Sequence, residues 1–542
     1  MNSNQPPPLV DYNLFDSDLP LREALEREGA WWAEPMVSEL GRLAGTEEAI
    51  EWGFQANANP PRLRTHDRFG ERIDEVEFHP SWHRLLEVAV GHGLHCLPWR
   101  EPKEGAHAAR AAGFYVWSQV EGGHGCPVSM TYAAVPALRH QADLAERWEP
   151  LITTLEYDFG LRQATSKRGV LFGMAMTERQ GGSDVRTNTT RAVPSGSGGE
   201  HLLTGQKWFC SAPMCDAFLV LAQAPGGLSC FLLPRVLPDG TRNRFHIERL
   251  KDKLGNRSNA SAEIALDEAW AVLVGEEGRG VRTIIDMVNH TRLDCVIGSA
   301  SLMRQAVAQA THHTAHRRAF GRLLSEQPLM VNVLADLAIE SEAATVLMMR
   351  LAAACDRAFD PMESAFRRLA LPVAKFWTCK RAINVVAEAL ECHGGNGYVE
   401  ESILPRLYRE APLNSIWEGV GNVNALDVLR AMAREPESVE AYFAEVGKAS
   451  DPRIARPLAD LRREITDSTA PEARARRTVE RMAVVLQGSL LSRHGDPAVA
   501  EAFIASRLGG DWGHSFGTLA AGTSFASIVE RHRPVKYDGG AH

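Results

Sequence analysis

Two nearby stretches, Met174-Ala-Met-Thr-Glu-Arg-Gln-Gly-Gly-Ser-Asp184 and Gly205-Gln-Lys-Trp-Phe-Cys-Ser211, carry the most information in this chain. Thr177, Ser183 and Ser211 are hydroxyl donors beside glycines, which lack a Cβ and let backbone N–H groups approach a ligand closely. Phe209 adds an aromatic plane in the same neighbourhood. Small polar donors around one ring face suit a flat, hydrogen-bonding heterocycle such as a flavin. The same residues also read as an ordinary pair of strands joined by Gly/Ser turns, and residue type alone leaves both readings open.

Length and composition frame that motif. The chain has 542 residues, 44% of them hydrophobic and 23% charged, which is ordinary for a large globular protein of three or four structural units. There is no run of eighteen apolar residues, so no membrane span is expected. The first residues, Met1-Asn-Ser-Asn-Gln-Pro-Pro-Pro8, lack the basic and apolar regions of a signal peptide. Nine cysteines, an odd number with no Cys-x-x-Cys pair, argue against a disulfide framework or structural zinc. A cytoplasmic protein without a metal site is therefore expected.

The net charge of −9 excludes a generic nucleic-acid binder. Charge is uneven, however. From Ala441 to His542 there are 14 Lys+Arg against 12 Asp+Glu, a net of +2, and the cations are nearly all arginine, which forks onto phosphate.

Four regions separate along the chain: 1–172, 173–279, 280–437 and 438–542. The first reads as helical, interrupted at Asn59-Pro-Pro-Arg62 and at Glu121-Gly-Gly-His-Gly125. The second turns to short β-type runs such as Phe218–Ala222 and Cys230–Leu233, with hairpin loops at Pro194–Gly199 and Pro225–Gly227, and predicts a small barrel or sandwich. The third is Ala/Leu/Met-dense over Ile297–His316 and Leu329–Cys355, as in a buried helical bundle. In the fourth, a helix is expected with Pro471 in its first turn, Ser468 or Thr469 as cap, and Gly495 after its end. Along it Arg474, Arg477 and Arg481 share one face, while Val479, Met482, Val485, Leu486 and Leu490 cluster on another. That pattern fits a solvated amphipathic helix packed on the bundle as well as a row of phosphate contacts.

Thr-Glu-x-x-Gly-Gly-Ser-Asp followed by Gly-Gln-Lys-x-x-x-Ser resembles the flavin-binding β-domain signature of the acyl-CoA dehydrogenase family. The order helical domain, β-domain, helical bundle matches that family over roughly residues 60–435. The resemblance implies an α+β, mostly α, acyl-CoA dehydrogenase fold with an added C-terminal helical domain. It implies FAD as cofactor, with Met176, Thr177, Gly182 and Ser183 at the flavin's pyrimidine edge and pyrophosphate. Phe209 would stack on the ring and Ser211 would reach N5, at places where the family usually has Trp and Thr.

Three further segments carry the likeness. His316-Arg-Arg-Ala-Phe-Gly321 is similar to the family's Arg-Lys-x-Phe-Gly turn, which implies Arg317 on the flavin pyrophosphate of a neighbouring subunit and Phe320 near the adenine. Alone, Arg317 would pass for a helix C-terminal cap. The family's downstream Gln falls on Pro328, with Gln327 one place earlier. Glu391-Cys-His-Gly-Gly-Asn-Gly-Tyr398 is similar to the Gln-x-x-Gly-Gly-x-Gly segment, implying Gly394 and Gly395 against the partner's diphosphate; without the likeness it is a helix C-cap and turn. Asn414-Ser-Ile-Trp-Glu-Gly-Val-Gly-Asn422 resembles the Tyr-Glu-Gly-Thr motif. Glu418 is then the candidate general base for an α-proton, Trp417 an apolar wall and Asn422 a flavin donor. The bland reading is a surface Glu before a turn glycine.

Trp-Glu-Gly with Gly-Asn, the stretch Asp67-Arg-Phe-Gly-Glu-Arg-Ile-Asp-Glu-Val-Glu-Phe-His79, and the hundred extra C-terminal residues resemble the AidB-like branch of the family. That branch implies association with the response to DNA alkylation, duplex DNA on the added domain (Arg474, Arg477 and Arg481), weak acyl-CoA dehydrogenase activity and a homotetramer. Two functions stand side by side: this DNA-associated flavoprotein, and a fully active dehydrogenase of short or branched acyl-CoA whose added domain serves only oligomerisation.

Overall fold

The computed structural model describes residues 4–196, 198–467 and 469–535, and by its contacts the chain forms two compact units. The first comprises Glu51–Pro102 and Glu121–Thr291. Its centre is a ring of strands. Ala217–Ala224 pairs with Arg191–Pro194, that strand with Glu200–Ser211, then Ser261–Val274, then Gly227–Pro234, which pairs back with Ala217–Ala224. The barrel reading therefore holds over the sandwich. Closure leaves few open edges, and Leu219, Leu221, Phe231 and Ile264 along its strands are buried. The turn through Pro225 and Gly226 joins the pair Ala224–Gly227. Of the Pro194–Gly199 loop, Ser197 lies outside the described residues.

The expectation of an all-helical N-terminal region fails in one place. Arg62–His66 and Arg72–Glu77 form an antiparallel hairpin. Pro60 and Pro61 stop the preceding helix, and Asp67 then closes the turn, its Oδ1 accepting from the N–H groups of Phe69 (2.8 Å) and Glu71 (2.9 Å). Burial alternates along both strands, with Leu63 inward on the first and Asp74 and Val76 buried on the second, a two-residue period that the Arg/Glu content conceals.

The second unit comprises Met1–Ile50, Lys103–Val120 and Arg292–His542. It is built on the long helices Gly280–His316 (which starts in the other unit), Pro328–Asp356 and Pro361–Glu391. Three of its helices begin at Asp-Pro pairs. Asp360, Asp451 and Asp496 each cap the following helix by accepting from the N–H two residues on, and Pro361, Pro452 and Pro497 occupy the first position, where no N–H is needed.

The C-terminal region belongs to this unit. Helix Pro471–His494 packs on Pro328–Asp356, Pro361–Glu391 and Gly421–Arg434, burying Val479, Met482, Val485, Leu486 and Leu490. It starts after Ala470, whose left-handed φ of 46° and lack of a capping side chain displace Thr469 from the predicted cap; Ser468 lies outside the described residues. Gly495 ends it as expected. Farther on, the buried Arg507 guanidinium pairs with Asp336 and with Glu340 (2.7 Å). Arg531 pairs with Glu342 (2.9 Å) and Glu23.

Among the described residues no helix is long and apolar enough to cross a membrane. All nine cysteines are buried thiols. Removing a buried ion-pair partner strands the other charge at a cost of about 3–5 kcal/mol. Arg507→Ala is accordingly expected to lower urea-unfolding stability by that order, and Arg507→Ala/Asp336→Asn/Glu340→Gln to recover part of it, read from equilibrium unfolding curves.

Candidate active site

The barrel unit holds the first motif group. Trp208 N–H donates to the Thr177 carbonyl (2.9 Å), laying the two motif stretches side by side. Between them, the wholly buried Lys207 ammonium donates to Glu178 (2.8 Å) and to the Leu221 carbonyl (2.7 Å). Glu178 also accepts from Thr189 N–H (2.6 Å), its hydroxyl (2.9 Å) and Thr190 N–H (3.1 Å). Burial pushes the Glu178 carboxyl up. The Lys207 charge and these bonds outweigh that push and hold it at about 2. Burial also lowers the Lys207 ammonium. Sequence reasoning took Thr177 and passed over this pair. One acid and one lysine in two otherwise strand-like motifs was the available signal.

Around this pair the candidate ligand-facing groups are arranged. A Cβ on Gly182 would stand 2.5 Å from Thr177 Oγ1, so only glycine lets the loop close over that hydroxyl. The Met176 carbonyl is tied down by Asn188 Nδ2 (2.9 Å), while Ser183 is exposed. On strand Glu200–Ser211, Phe209 leaves 53% of its surface open, a large amount for an aromatic in a barrel strand. The Lys251 ammonium sits 3.7 Å from the neighbouring Trp208 ring and 4.6 Å from that of Phe209. Ser211 Oγ, partly exposed, lies 3.4 Å from Ser261 Oγ.

The helical unit holds the second group. Glu418 sits in a turn with φ of 56°, left-handed for a residue with a Cβ, followed by Gly419 at 102°. Such a residue costs about 1–3 kcal/mol and persists only where its surroundings impose it. Here they do. Arg292 Nε donates to the Glu418 carbonyl (3.1 Å) while its Nη1 pairs with Asp427 (2.8 Å). Buried Lys375 and the Asn424 amide both donate to the Gly419 carbonyl, and Asn424 N–H donates to that of Val420 (3.1 Å). Trp417 is fixed by its Nε1 on Asn414 Oδ1 (2.9 Å). Arg292, Lys375 and Asn424 were missed from sequence, although a lysine inside Leu371-Pro-Val-Ala-Lys-Phe-Trp377 is out of place in an apolar stretch.

In the same unit, Arg318–Ala319 and Arg322–Leu323 form a short hairpin whose tip residue Phe320 is 98% exposed. Gln327 braces it from Nε2 to the Ala319 carbonyl (3.1 Å). Arg317 Nη1 donates to the Asn4 carbonyl (2.7 Å), and Asn396 Nδ2 to Gln5 Oε1 (2.8 Å), so the N-terminal residues tie the hairpin to the Gly394–Tyr398 turn. A Cβ on Gly394 or Gly395 would meet nothing within 4 Å, whereas one on Gly397 would stand 2.3 Å from the Leu390 carbonyl. The first two glycines face open space and the third packs. Beneath them the His313 and His393 rings lie 4.4 Å apart, and burial with His393 and Arg317 nearby drives His313 down to about 3.

The tail arginines are partly spoken for. Arg474 pairs with Asp467 (2.9 Å) and Arg481 with Glu464 (2.5 Å), leaving Arg477 exposed. Asn422, in the first turn of helix Gly421–Arg434, accepts from Arg476. Among the described residues no three His, Cys, Asp or Glu side chains converge as a metal site.

Family models match in succession from residue 4 to residue 433: the adaptive response protein AidB N-terminal domain over residues 4–159, the acyl-CoA dehydrogenase middle domain over 173–269 and its C-terminal domain over 278–433. AidB of Escherichia coli (strain K12) is 47% identical over 478 residues, 85% of this chain and 88% of that protein. The chain belongs to the acyl-CoA dehydrogenase family, in its AidB-like branch. Acyl-CoA dehydrogenase family member 11 of Caenorhabditis elegans is 31% identical, covering 74% of this chain and 67% of that protein. The solved structure of C. elegans ACDH-11 in complex with C11-CoA superposes with a TM-score of 0.84 at 27% identity, covering 97% of this chain and 92% of its own. As a family member this acyl-CoA dehydrogenase-like flavoprotein is an FAD-dependent oxidoreductase acting on CH–CH bonds.

The Glu178–Lys207 pair makes the barrel acid-sensitive. A carboxyl held near 2 against an ordinary 4.5 contributes stability above about pH 4.5 that disappears as the pH falls toward 2. Glu178→Gln is therefore expected to melt several degrees below the parent at pH 7, and the gap to narrow between pH 4.5 and 2, followed by circular dichroism.

Proposed function

We propose that the chain oxidises an acyl-CoA thioester at its α,β carbons, with Glu418 as the base that accepts the α-proton. What carries this reading is the enforced turn. Three cationic or amide side chains hold the backbone of residues 418–420 in a conformation a glutamate avoids, and an acid in an unconstrained surface turn has no need of such support. Trp417 alongside supplies apolar surface for a reacting chain.

The residues present fit FAD. Exposed Phe209 offers a face for a flat ring, the Thr177 and Ser211 hydroxyls offer edge donors, and Gly394 and Gly395 offer backbone with no side chain in the way of a diphosphate. Met176, Gly182 and Ser183 would shape the loop on the barrel side. Arg317, Phe320 and Gln327 would serve a neighbouring subunit's cofactor. Bound FAD supplies the two-electron acceptor for the β-hydrogen. The products are then an α,β-unsaturated thioester and a protonated Glu418. The almost wholly exposed Phe320, with Leu329 and Tyr398 also open, is the surface a second copy would cover, in keeping with a homotetramer.

A second reading adds duplex DNA on the tail and places the protein in the response to DNA alkylation, with dehydrogenase turnover weak. Its support is the solvent exposure of Arg456, Arg463 and Arg477; the first two pair with Asp460 on their own helix, as Arg474 and Arg481 pair with Asp467 and Glu464. Such contacts would be to phosphate, indifferent to base sequence.

Anaerobic addition of a short or branched acyl-CoA is expected to bleach the flavin, and Glu418→Gln to slow bleaching by about 10²–10⁴-fold. A flavin that stays oxidised in the parent protein overturns the dehydrogenase reading. For the tail, Arg456→Glu/Arg463→Glu/Arg477→Glu is expected to flatten the log–log salt dependence of duplex binding by about 0.9 per lost phosphate contact. An unchanged slope removes these arginines from the interface.

A further inference from the structure

The appended tail reaches the turn that carries Glu418. From helix Pro471–His494, Arg476 Nη1 donates to Asn422 Oδ1 at 3.0 Å, and the same guanidinium lies 5.5 Å from the Phe376 ring. Lys380 approaches that ring from helix Pro361–Glu391, its Nζ 5.4 Å from the centroid. A Cβ on Gly421 would stand 2.9 Å from Lys380 Cε, so the lysine lies directly against the backbone at the start of this helix. Neither Arg476 nor Lys380 pairs with a carboxylate among the described residues. Two uncompensated cations therefore face the first turn of helix Gly421–Arg434, and burial together with the Arg476 and Lys375 charges lowers Lys380.

An amide side chain has one accepting end and one donating end, and a guanidinium can only donate. Arg476 thus settles which way Asn422 points. Its oxygen faces the tail, and Nδ2, which makes no hydrogen bond to the described residues, is presented outward as a donor. Without the arginine, the bond that fixes the oxygen toward the tail is gone and the amide is free to turn its accepting end outward.

We propose that Arg476 is a positioning residue for the cofactor: from the added domain it orients Asn422 as a donor toward the diphosphate-bearing part of FAD. The inference rests on the cofactor reading above and adds to it that the tail, which the dehydrogenase scaffold does not require for its barrel or its base, takes part in holding the flavin. Charge-assisted contacts to phosphate oxygen are the strong class of hydrogen bond, and a disordered amide forfeits part of that strength.

The test follows release of FAD fluorescence from the full-length holoprotein on serial dilution, for the parent, Arg476→Ala, Asn422→Ala, the double variant and Arg476→Lys. Each single alanine is expected to weaken FAD about tenfold, the double variant to be no weaker than Asn422→Ala, and Arg476→Lys to recover most of the loss because an ammonium also only donates. Thermal midpoints of the exposed-site variants should stay within a few degrees of the parent. Parent-like FAD retention by Arg476→Ala, or single effects that simply multiply in the double variant, overturns the inference while leaving FAD binding intact. A parent protein that retains no FAD overturns the cofactor reading and the inference with it.

Discussion

The left-handed turn at Glu418 is the constraint on which the candidate chemistry depends. A carboxylate can act on a weakly acidic C–H only if it is delivered at one place and angle, and a loose loop does not deliver it. Delivery here is by backbone carbonyls. Arg292 takes that of Glu418, and Lys375 and Asn424 share that of Gly419. Arg292 is in turn fixed by Asp427 and Asp427 by Arg368 (3.2 Å), so the turn is the visible end of a buried polar network running through three helices. Such a network is costly when half satisfied and rigid when complete, which suits a group that must not wander.

The barrel uses the same device with opposite sign. There a buried carboxylate, Glu178, gathers three donors from Thr189 and Thr190 and one from Lys207, and so welds two glycine-rich segments that have little apolar surface of their own. Segments rich in Gly, Ser and Thr bury too little to hold shape by hydrophobic contact. An internal ion pair supplies the missing definition, and the hydroxyls and the Phe209 face remain available at the surface.

Much of this was legible from the chain. The barrel strands, the long helices, the Thr177 to Ser211 segment, the hairpin at Arg317 and the Gly394–Gly395 and Glu418 turns lie where residue pattern and family likeness put them, because each is a local signal. What escaped was non-local or disguised. Arg292 and Lys375 bond to carbonyls 126 and 44 residues away, and nothing in their neighbourhoods announces it. The hairpin after Pro61 hides a strand period under charge. Arg474 and Arg481 look free along a helix and are paired across a turn with Asp467 and Glu464, partners that periodicity on one helix cannot see. The Ala470 start of that helix broke the usual capping preference, which is a statistical tendency that tertiary packing overrides.

The helical unit is assembled from three stretches of chain that are far apart in sequence, while nearly all of the barrel unit lies within a central stretch. This bears on the order of events at the ribosome. The barrel's strands are all synthesised by Val274, so it can close early. The helical core cannot. Glu342 waits with its charge unmatched until Arg531 and His532 emerge almost two hundred residues later, and Asp336 waits for Arg507, while Glu340 meets Arg381 sooner. Long helices with buried carboxylates and open apolar faces must therefore persist through much of synthesis, a window in which they are exposed to chaperones and to one another. Chains truncated before Arg531 would leave that window permanently open, so helix Phe525–Arg531 acts as the closing step in making the protein, whatever else the tail binds.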